Sequence, residues 1–147
     1  MTAICEILGP VAPETCIGPV TMFAARVPAG FPSPADDYVE QTLDPGALLV
    51  RRPAATFFVR VSGPSMEGAG IFDGDILVVD RSVEAKARDI VVAVVDGGLA
   101  VKRLVRKGAC WALASEHPDF SDLPIDTDLG VTIWGVVTWS LTPLCSR

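Results

Sequence analysis

Two side chains in this sequence, Ser65 and Lys102, are of the types that form a serine–lysine catalytic pair. Ser65 lies in a run of small residues and glycine, Ser62-Gly63-Pro64-Ser65-Met66-Glu67-Gly68. A turn of this composition can expose a serine hydroxyl and aim backbone N–H groups at a developing oxyanion. Most serines in turns rich in glycine and proline only help to form the turn. The composition alone therefore leaves both interpretations of Ser65 open.

Lys102 would be the general base of such a pair. It lies in a predicted strand, where alternation places it on one face with Ala100 and Leu104. Apolar neighbours disfavour the ammonium form and lower the pKa of a lysine. A neutral amine can then accept the proton of a serine hydroxyl. The alternative is a surface lysine that extends into solvent from a strand.

A candidate substrate lies earlier in the chain, in Val27-Pro28-Ala29-Gly30-Phe31-Pro32. Small residues at the Ala29–Gly30 bond let a backbone approach an active site closely. The alternative is a flexible linker without a catalytic role.

The remaining reactive side chains do not form a second constellation. No pair of cysteines has C-x-x-C spacing, so the four are interpreted as free thiols, and neither a metal nor a cofactor is expected. The single histidine, His117, lies in the loop-like sequence Glu116-His117-Pro118-Asp119, and nothing nearby supports a Ser-His-Asp triad. The cysteines are Cys5, Cys16, Cys110 and Cys145.

Composition limits the class of protein. The chain has 147 residues, of which half are hydrophobic, which suits one domain plus an arm. Its formal charge of −6 and pI of about 4.6 argue against a DNA-binding domain, because DNA affinity comes largely from Lys and Arg. No apolar run is long enough for a membrane span, and residues 1–29 lack the pattern of a secretory signal. A cytosolic protein is expected.

The elements that must position these residues are mostly strands. Residues 1–32 show no sustained periodicity and are interpreted as an extended arm or tethered loop. Ser33-Pro34-Ala35-Asp36 predicts a helix over 34–42 that Asp44-Pro45-Gly46 ends. Asp96-Gly97 predicts a hairpin turn. Strands are predicted at 56–61, 76–79, 90–95, 99–105, 110–113 and 131–139, which favours a compact, twisted antiparallel β domain.

Taken together, these segments resemble the LexA/UmuD family of self-cleaving Ser–Lys peptidases. The resemblance covers roughly residues 27–138, and Ser65 is 37 positions before Lys102 and 36 after Ala29, as in the family. The matching segments are Gly30-Phe31-Pro32-Ser33-Pro34-Ala35, Asp37-Tyr38-Val39-Glu40-Gln41, Ser62-Gly63-Pro64-Ser65-Met66, Gly70-Ile71, Asp73-Gly74-Asp75-Ile76-Leu77-Val78-Val79-Asp80, Asp89-Ile90-Val91, Val101-Lys102-Arg103-Leu104 and Gly135-Val136-Val137.

The resemblance implies a mechanism and partners. Lys102 would deprotonate Ser65, which would attack the carbonyl of Ala29 and divide the chain into an arm, 1–29, and a β domain, 30–147. It also implies a homodimer, stimulation by RecA filaments on single-stranded DNA after DNA damage, and a role as the accessory subunit of a Y-family polymerase in translesion synthesis. Two prolines depart from the family pattern, Pro28 beside the bond and Pro64 beside Ser65, and each lacks an N–H.

Three other classes of protein share features with this sequence. A LexA-type repressor needs a helix-turn-helix domain before the bond, and residues 1–29 are too few for one. A signal peptidase shares the Ser–Lys chemistry but needs a membrane anchor. The remaining competitor is an interaction module that binds a polymerase or RecA without cleaving itself.

Overall fold

The structure, a computed structural model, describes residues 4–10, 20–23, 29–30, 40–125 and 130–145. Ten strands, one α-helix and two 3-10 helices fall within these ranges. The strands are β1 (Ile4–Pro10), β2 (Val20–Phe23), β3 (Glu40–Leu43), β4 (Thr56–Ser62), β5 (Ile76–Asp80), β6 (Ile90–Val95), β7 (Gly98–Lys107), β8 (Cys110–Ala114), β9 (Leu123–Pro124) and β10 (Thr132–Leu141). The helix α1 is Pro45–Leu49, and the 3-10 helices are Pro53–Ala55 and Glu67–Ala69.

Eight of the strands form one antiparallel sheet in the order β1-β4-β5-β10-β6-β7-β8-β9, and β2 pairs with β3 in a separate two-stranded sheet. The larger sheet curls until β1 also meets β7, where Ile4 pairs with Ala100. The expectation of a twisted, mostly antiparallel β domain is thus confirmed.

The curl encloses the core. One cluster of buried side chains joins β1, β4, β5, β6 and β7 and includes Val59, Val61, Met66 and Leu77. A second cluster, centred on Leu113, packs β8 against β6, β7 and β10. Burying these branched apolar side chains drives the sheet to close on itself, because each contributes about 1.5–3 kcal/mol on leaving water.

The predicted hairpin at Asp96-Gly97 is present. Both residues have positive φ, 50° and 78°, as a two-residue turn between twisted strands requires. The turn fixes the β6–β7 register, in which Val91 lies opposite Lys102. The hairpin therefore sets the position of the candidate base.

The prediction of a helix over 34–42 is wrong at its end. Glu40–Leu43 is the strand β3, paired with β2, so that Thr42 lies opposite Thr21; residues 34–39 lie outside the described part of the chain. The tripeptide expected to end the helix instead begins α1, because Asp44 Oδ1 accepts a hydrogen bond from Ala47 N at 3.2 Å and Pro45 occupies the first helical turn.

The interpretation of 1–32 as an arm or loop missed two strands, β1 and β2. β1 pairs with β4 from Ile4 opposite Ser62 to Pro10 opposite Phe57, with an irregularity at Gly9, where φ is 116°. The only buried side chain described in β1 is that of Cys5, which packs in the main core. Ile4–Pro10 is therefore part of the larger sheet.

Of the helices in the described residues, none has the length and apolar character needed to span a membrane.

Candidate active site

The turn that carries Ser65 begins where β4 ends. Gly63 adopts a φ of 100°, which glycine tolerates at little cost, and its N–H donates to Asp73 Oδ1 at 2.8 Å. A second bond runs from Gly74 N to Val61 O at 2.8 Å. The turn containing Asp73-Gly74 thus holds the start of the Ser65 turn in place.

The turn then passes into the core. Ser65 and Met66 are both fully buried, and Met66 O accepts hydrogen bonds from Ala69 N and Ile71 N. The apolar Met66 side chain anchors the segment among core residues of the sheet. Because its neighbour is fixed in this way, Ser65 is held at one position on the inside of the molecule.

Lys102 is buried as well, with only 2% of its surface exposed. Ala100 and Leu104 are buried on the same strand, which confirms the predicted apolar surroundings. Desolvation by this burial lowers the pKa of Lys102, and the opposing charge of Asp122 offsets only part of the effect. A lysine in this setting loses its proton at a lower pH than an exposed one, as a general base requires.

The Lys102 ammonium group contacts Ser115 and Phe120. Nζ donates a hydrogen bond to Ser115 Oγ at 2.5 Å, and it lies 5.7 Å from the centre of the Phe120 ring. Both belong to the segment 115–122, which follows β8. This segment therefore packs against the candidate base.

The same segment is bonded to the Ser65 turn. Glu116 N donates to Ser65 O at 2.9 Å, and Gly68 N donates to Glu116 O at 2.8 Å. The packing is close, because a Cβ atom on Gly68 would lie 2.6 Å from Glu116 O. Ser65 lies in the turn after β4 and Lys102 lies in β7, yet both are joined to the dipeptide Ser115-Glu116.

The candidate substrate bond lies elsewhere. Ala29 and Gly30 are both exposed, in the connection between β2 and β3. The described structure therefore does not enclose this bond with the buried Ser65. Cleavage would require the segment to move into the site.

Sequence reasoning missed Ser115. Its signal is the register of the β7–β8 hairpin, in which Lys107 pairs with Cys110 and Arg103 with Ala114. Continuing that register by one position places Ser115 across from Lys102. Predicting this contact requires the register of the β7–β8 hairpin. That register depends on the turn Gly108-Ala109, which is a weak turn signal in the sequence.

His117 has a local role in the same segment. Its Nδ1 accepts a hydrogen bond from Asp119 N at 3.1 Å, and its ring packs edge-on against Phe120 at 5.2 Å. These contacts stabilise the loop. The expectation that His117 is not part of a catalytic triad stays a prediction.

The cysteines differ in environment. Cys5 is buried, which raises the pKa of its thiol to about 12, whereas Cys110 and Cys145 are exposed. Cys16 falls outside the described residues. Within the described part of the chain, no group of three or more His, Cys, Asp or Glu side chains could hold a metal ion.

Comparison with known proteins assigns the chain to a class. A family model described as Peptidase S24-like matches residues 21–138, which include Ser65, Lys102 and the Ala29–Gly30 bond. The chain therefore belongs to the S24-like peptidase family.

Its relatives fall into two groups. The chain is 48% identical to the protein ImpA of Salmonella typhimurium over 118 residues, 80% of this chain and 79% of ImpA. It is 48% identical to the protein MucA of Escherichia coli over 132 residues, 87% of this chain and 89% of MucA. It is 40% identical to the LexA repressor of Vibrio atlanticus over 105 residues, which cover 70% of this chain but 50% of the repressor.

Proposed function

We propose that this protein is a self-cleaving serine endopeptidase that cuts its own Ala29–Gly30 bond, with Ser65 as nucleophile and Lys102 as general base. The observation that carries the proposal is the burial of Lys102, whose pKa is lowered by desolvation, beside the dipeptide that also holds Ser65. Membership of the S24-like peptidase family supports the same chemistry.

The reaction proceeds in two stages. Neutral Lys102 accepts the Ser65 hydroxyl proton while Oγ bonds to the Ala29 carbonyl carbon. The resulting tetrahedral oxyanion is held by backbone N–H groups of Ser65 or its neighbours. The C–N bond then breaks, Lys102 returns the proton to the amine of Gly30, and Ala29 remains as an ester on Ser65. Water, deprotonated by Lys102, hydrolyses that ester and regenerates the hydroxyl.

Docking of the bond is the regulated step. Ala29 and Gly30 are exposed while Ser65 is fully buried, so a conformational change must precede chemistry. Since the bond is tethered to the site, effective concentration replaces affinity, and a slow reaction suffices. An activator that favours the docked state would raise the rate by shifting this equilibrium.

The context of the reaction is the SOS response to DNA damage. In this proposal a RecA filament on single-stranded DNA is the activator, and the product 30–147 acts as a cytoplasmic homodimer that joins a Y-family polymerase in error-prone translesion synthesis. Support comes from the relatives ImpA, MucA and SamA, each 47–48% identical, and from the LexA repressor. The net charge of −6 favours protein partners over direct, sequence-specific DNA binding.

The activator is tested by following the intact mass of the chain near neutral pH. Full-length protein is incubated alone, with RecA, single-stranded DNA and a nucleotide, and with RecA lacking DNA. We expect cleavage after Ala29 to accelerate only with the complete filament and to be absent in Ser65→Ala. Equal rates in all three samples would contradict the role of RecA, without affecting the assignment of the nucleophile.

The alternative function is a non-cleaving interaction module that binds a polymerase or RecA. The two prolines, Pro28 and Pro64, favour it most, because each removes an N–H next to a reacting residue. Ser65→Ala separates the two functions, since a binding module does not need the hydroxyl. Polymerase or RecA binding with no cleavage of the wild-type chain would select the module.

A further inference from the structure

Ser115 is the residue at the candidate site whose contact the proposed mechanism has not used. Its Oγ lies 2.5 Å from Lys102 Nζ and accepts a hydrogen bond from it. The hydroxyl is on a segment outside the strand that carries the lysine, so the contact crosses from one element to another.

The position of Ser115 is fixed from both sides. Before it, Ala114 pairs with Arg103 at the end of the β7–β8 ladder. After it, Glu116 N donates to Ser65 O, and the Glu116 carboxylate forms a salt bridge with Arg103. The backbone that carries the Ser115 hydroxyl is thus held in place, and the hydrogen bond to this hydroxyl restricts the orientation of the amine that donates it.

Orientation matters because a neutral lysine amine has one lone pair and two N–H bonds. Rotation about the last side-chain bond offers three staggered arrangements, and they aim the lone pair in different directions. An N–H committed to a fixed acceptor removes some of these arrangements. Proton transfer from the Ser65 hydroxyl requires the lone pair to face that hydroxyl.

We propose that Ser115 is a positioning residue: its hydroxyl accepts an N–H of Lys102, so that the lone pair of the neutral amine is aimed at Ser65. The inference rests on the proposed function, because it assigns Ser115 a role through the base of the self-cleavage reaction. Ser115 forms and breaks no bond with the substrate.

Other charged groups around the amine must be kept constant in the test. Asp122 favours the charged form of Lys102 and is itself paired with Lys107 at 2.5 Å, while the Phe120 ring faces the ammonium group. Arg103 and Glu116 are paired with each other beside the site. The variants therefore change only the Ser115 hydroxyl.

The test is the first-order rate of self-cleavage between pH 7 and pH 11 for the wild type, Ser115→Ala, Ser115→Cys and Ser115→Thr. The alanine variant removes the acceptor, cysteine replaces it with a weak one of similar size, and threonine keeps it. Ser121→Ala, at an exposed serine of the same segment, is the matched control. Lys102→Ala gives the background rate of self-cleavage when the proposed general base is absent.

We expect Ser115→Ala and Ser115→Cys to lower the high-pH plateau by about ten- to a hundredfold, a loss typical of misplaced catalytic groups. The midpoint of the pH profile should move to lower pH, because the ammonium form loses an acceptor. A loosened fold that admitted water would move the midpoint the other way. Ser115→Thr and Ser121→Ala should retain the wild-type plateau.

Two results would overturn the inference. If the wild type cleaves in a Lys102-dependent way and Ser115→Cys has the same plateau and midpoint, Ser115 does not position the base, and the proposed function stands. If the wild type does not cleave with or without activator, both fail together. Should Ser115→Ala not fold, the cysteine and threonine variants decide the question.

Discussion

At the scale of single residues, the burial of Lys102 lowers the stability of the fold. A lysine with 2% of its surface exposed is a costly residue for a core, because burial disfavours its charged form. The compensating contacts include a hydrogen bond to Ser115, the facing ring of Phe120 and a longer-range attraction to Asp122. Residues whose burial is unfavourable but which tune a pKa are characteristic of active sites.

The first prediction follows from that cost. Lys102→Met, which keeps the length and removes the charge, should abolish cleavage and raise the melting temperature at pH 7 by a few degrees. Thermal unfolding monitored by circular dichroism measures the shift. Lys86→Met, at an exposed lysine, is the control and should change neither property.

The stability that Lys102→Met gains over the wild type should decrease as the pH rises. The pKa of Lys102 is lowered from 10.5 in the folded protein, so between the lowered value and 10.5 the unfolded chain binds more protons. The free energy of unfolding of the wild type therefore rises with pH across that window. The advantage of Lys102→Met should be largest below the folded pKa and disappear as pH approaches 10.5. An advantage that grew with pH would contradict the burial of a titrating lysine.

At the scale of elements, the site depends on three segments that meet: the turn after β4, the strand β7 and the segment 115–122. Gly68 lies at their junction, since its N–H bonds to Glu116 O and a side chain there would lie 2.6 Å from that oxygen. The close approach of two backbones is what requires glycine at this position.

Gly68→Ala should therefore push the segment 115–122 away from the Ser65 turn. We expect a loss of about 1–3 kcal/mol in the free energy of unfolding, the usual cost of overpacking, and a slower cleavage at every pH. Urea denaturation and the cleavage rate measure the two effects. Gly98→Ala is the control, because a Cβ there would meet only Val95 O, at 3.7 Å. Wild-type stability in Gly68→Ala would contradict the described packing.

Short sequence patterns predicted those elements whose structure depends mainly on neighbouring residues. The strand at 90–95 and the turn at Asp96-Gly97 were read directly from β-branched residues and from a dipeptide suited to positive φ. The strands β1, β2 and β3 were missed because their partners are distant in sequence: β1 pairs with β4, and β2 with β3. A capping signal at Ser33-Pro34 carries no information about such a partner, so the predicted helix continued into a strand.

The site was predicted unevenly for the same reason. Ser65 and Lys102 were singled out by residue type and then by resemblance to a family. Lys102 has the buried, apolar surroundings expected for it, whereas Ser65 is fully buried although the composition of its turn favoured an exposed hydroxyl. Ser115 was missed, because its contact depends on hairpin register and on how the segment 115–122 folds over the sheet. The exposure of Ala29–Gly30 could not be predicted from the sequence either, because sequence patterns do not show whether this segment is docked in the site or undocked.

At the scale of the whole molecule, the proposed cut would break the chain between strands that remain hydrogen-bonded to each other. β1 and β2 lie before the Ala29–Gly30 bond, and their partners β4 and β3 lie after it. Six paired positions join β1 to β4, and Cys5 packs in the main core. A cut chain would therefore not separate at once under native conditions, and cleavage must be measured on denatured protein.

The most direct test of the central claim is to incubate the purified chain at alkaline pH without activator, and to measure its intact mass over time in samples that are denatured before analysis. A larger share of Lys102 is neutral there, so the account predicts a new species with the mass of residues 30–147, at a rate that rises with pH. The species should be absent from Ser65→Ala and Lys102→Ala samples that are shown to be folded. A wild-type chain that stays whole, or a cut that persists in either variant, would contradict the Ser65–Lys102 assignment.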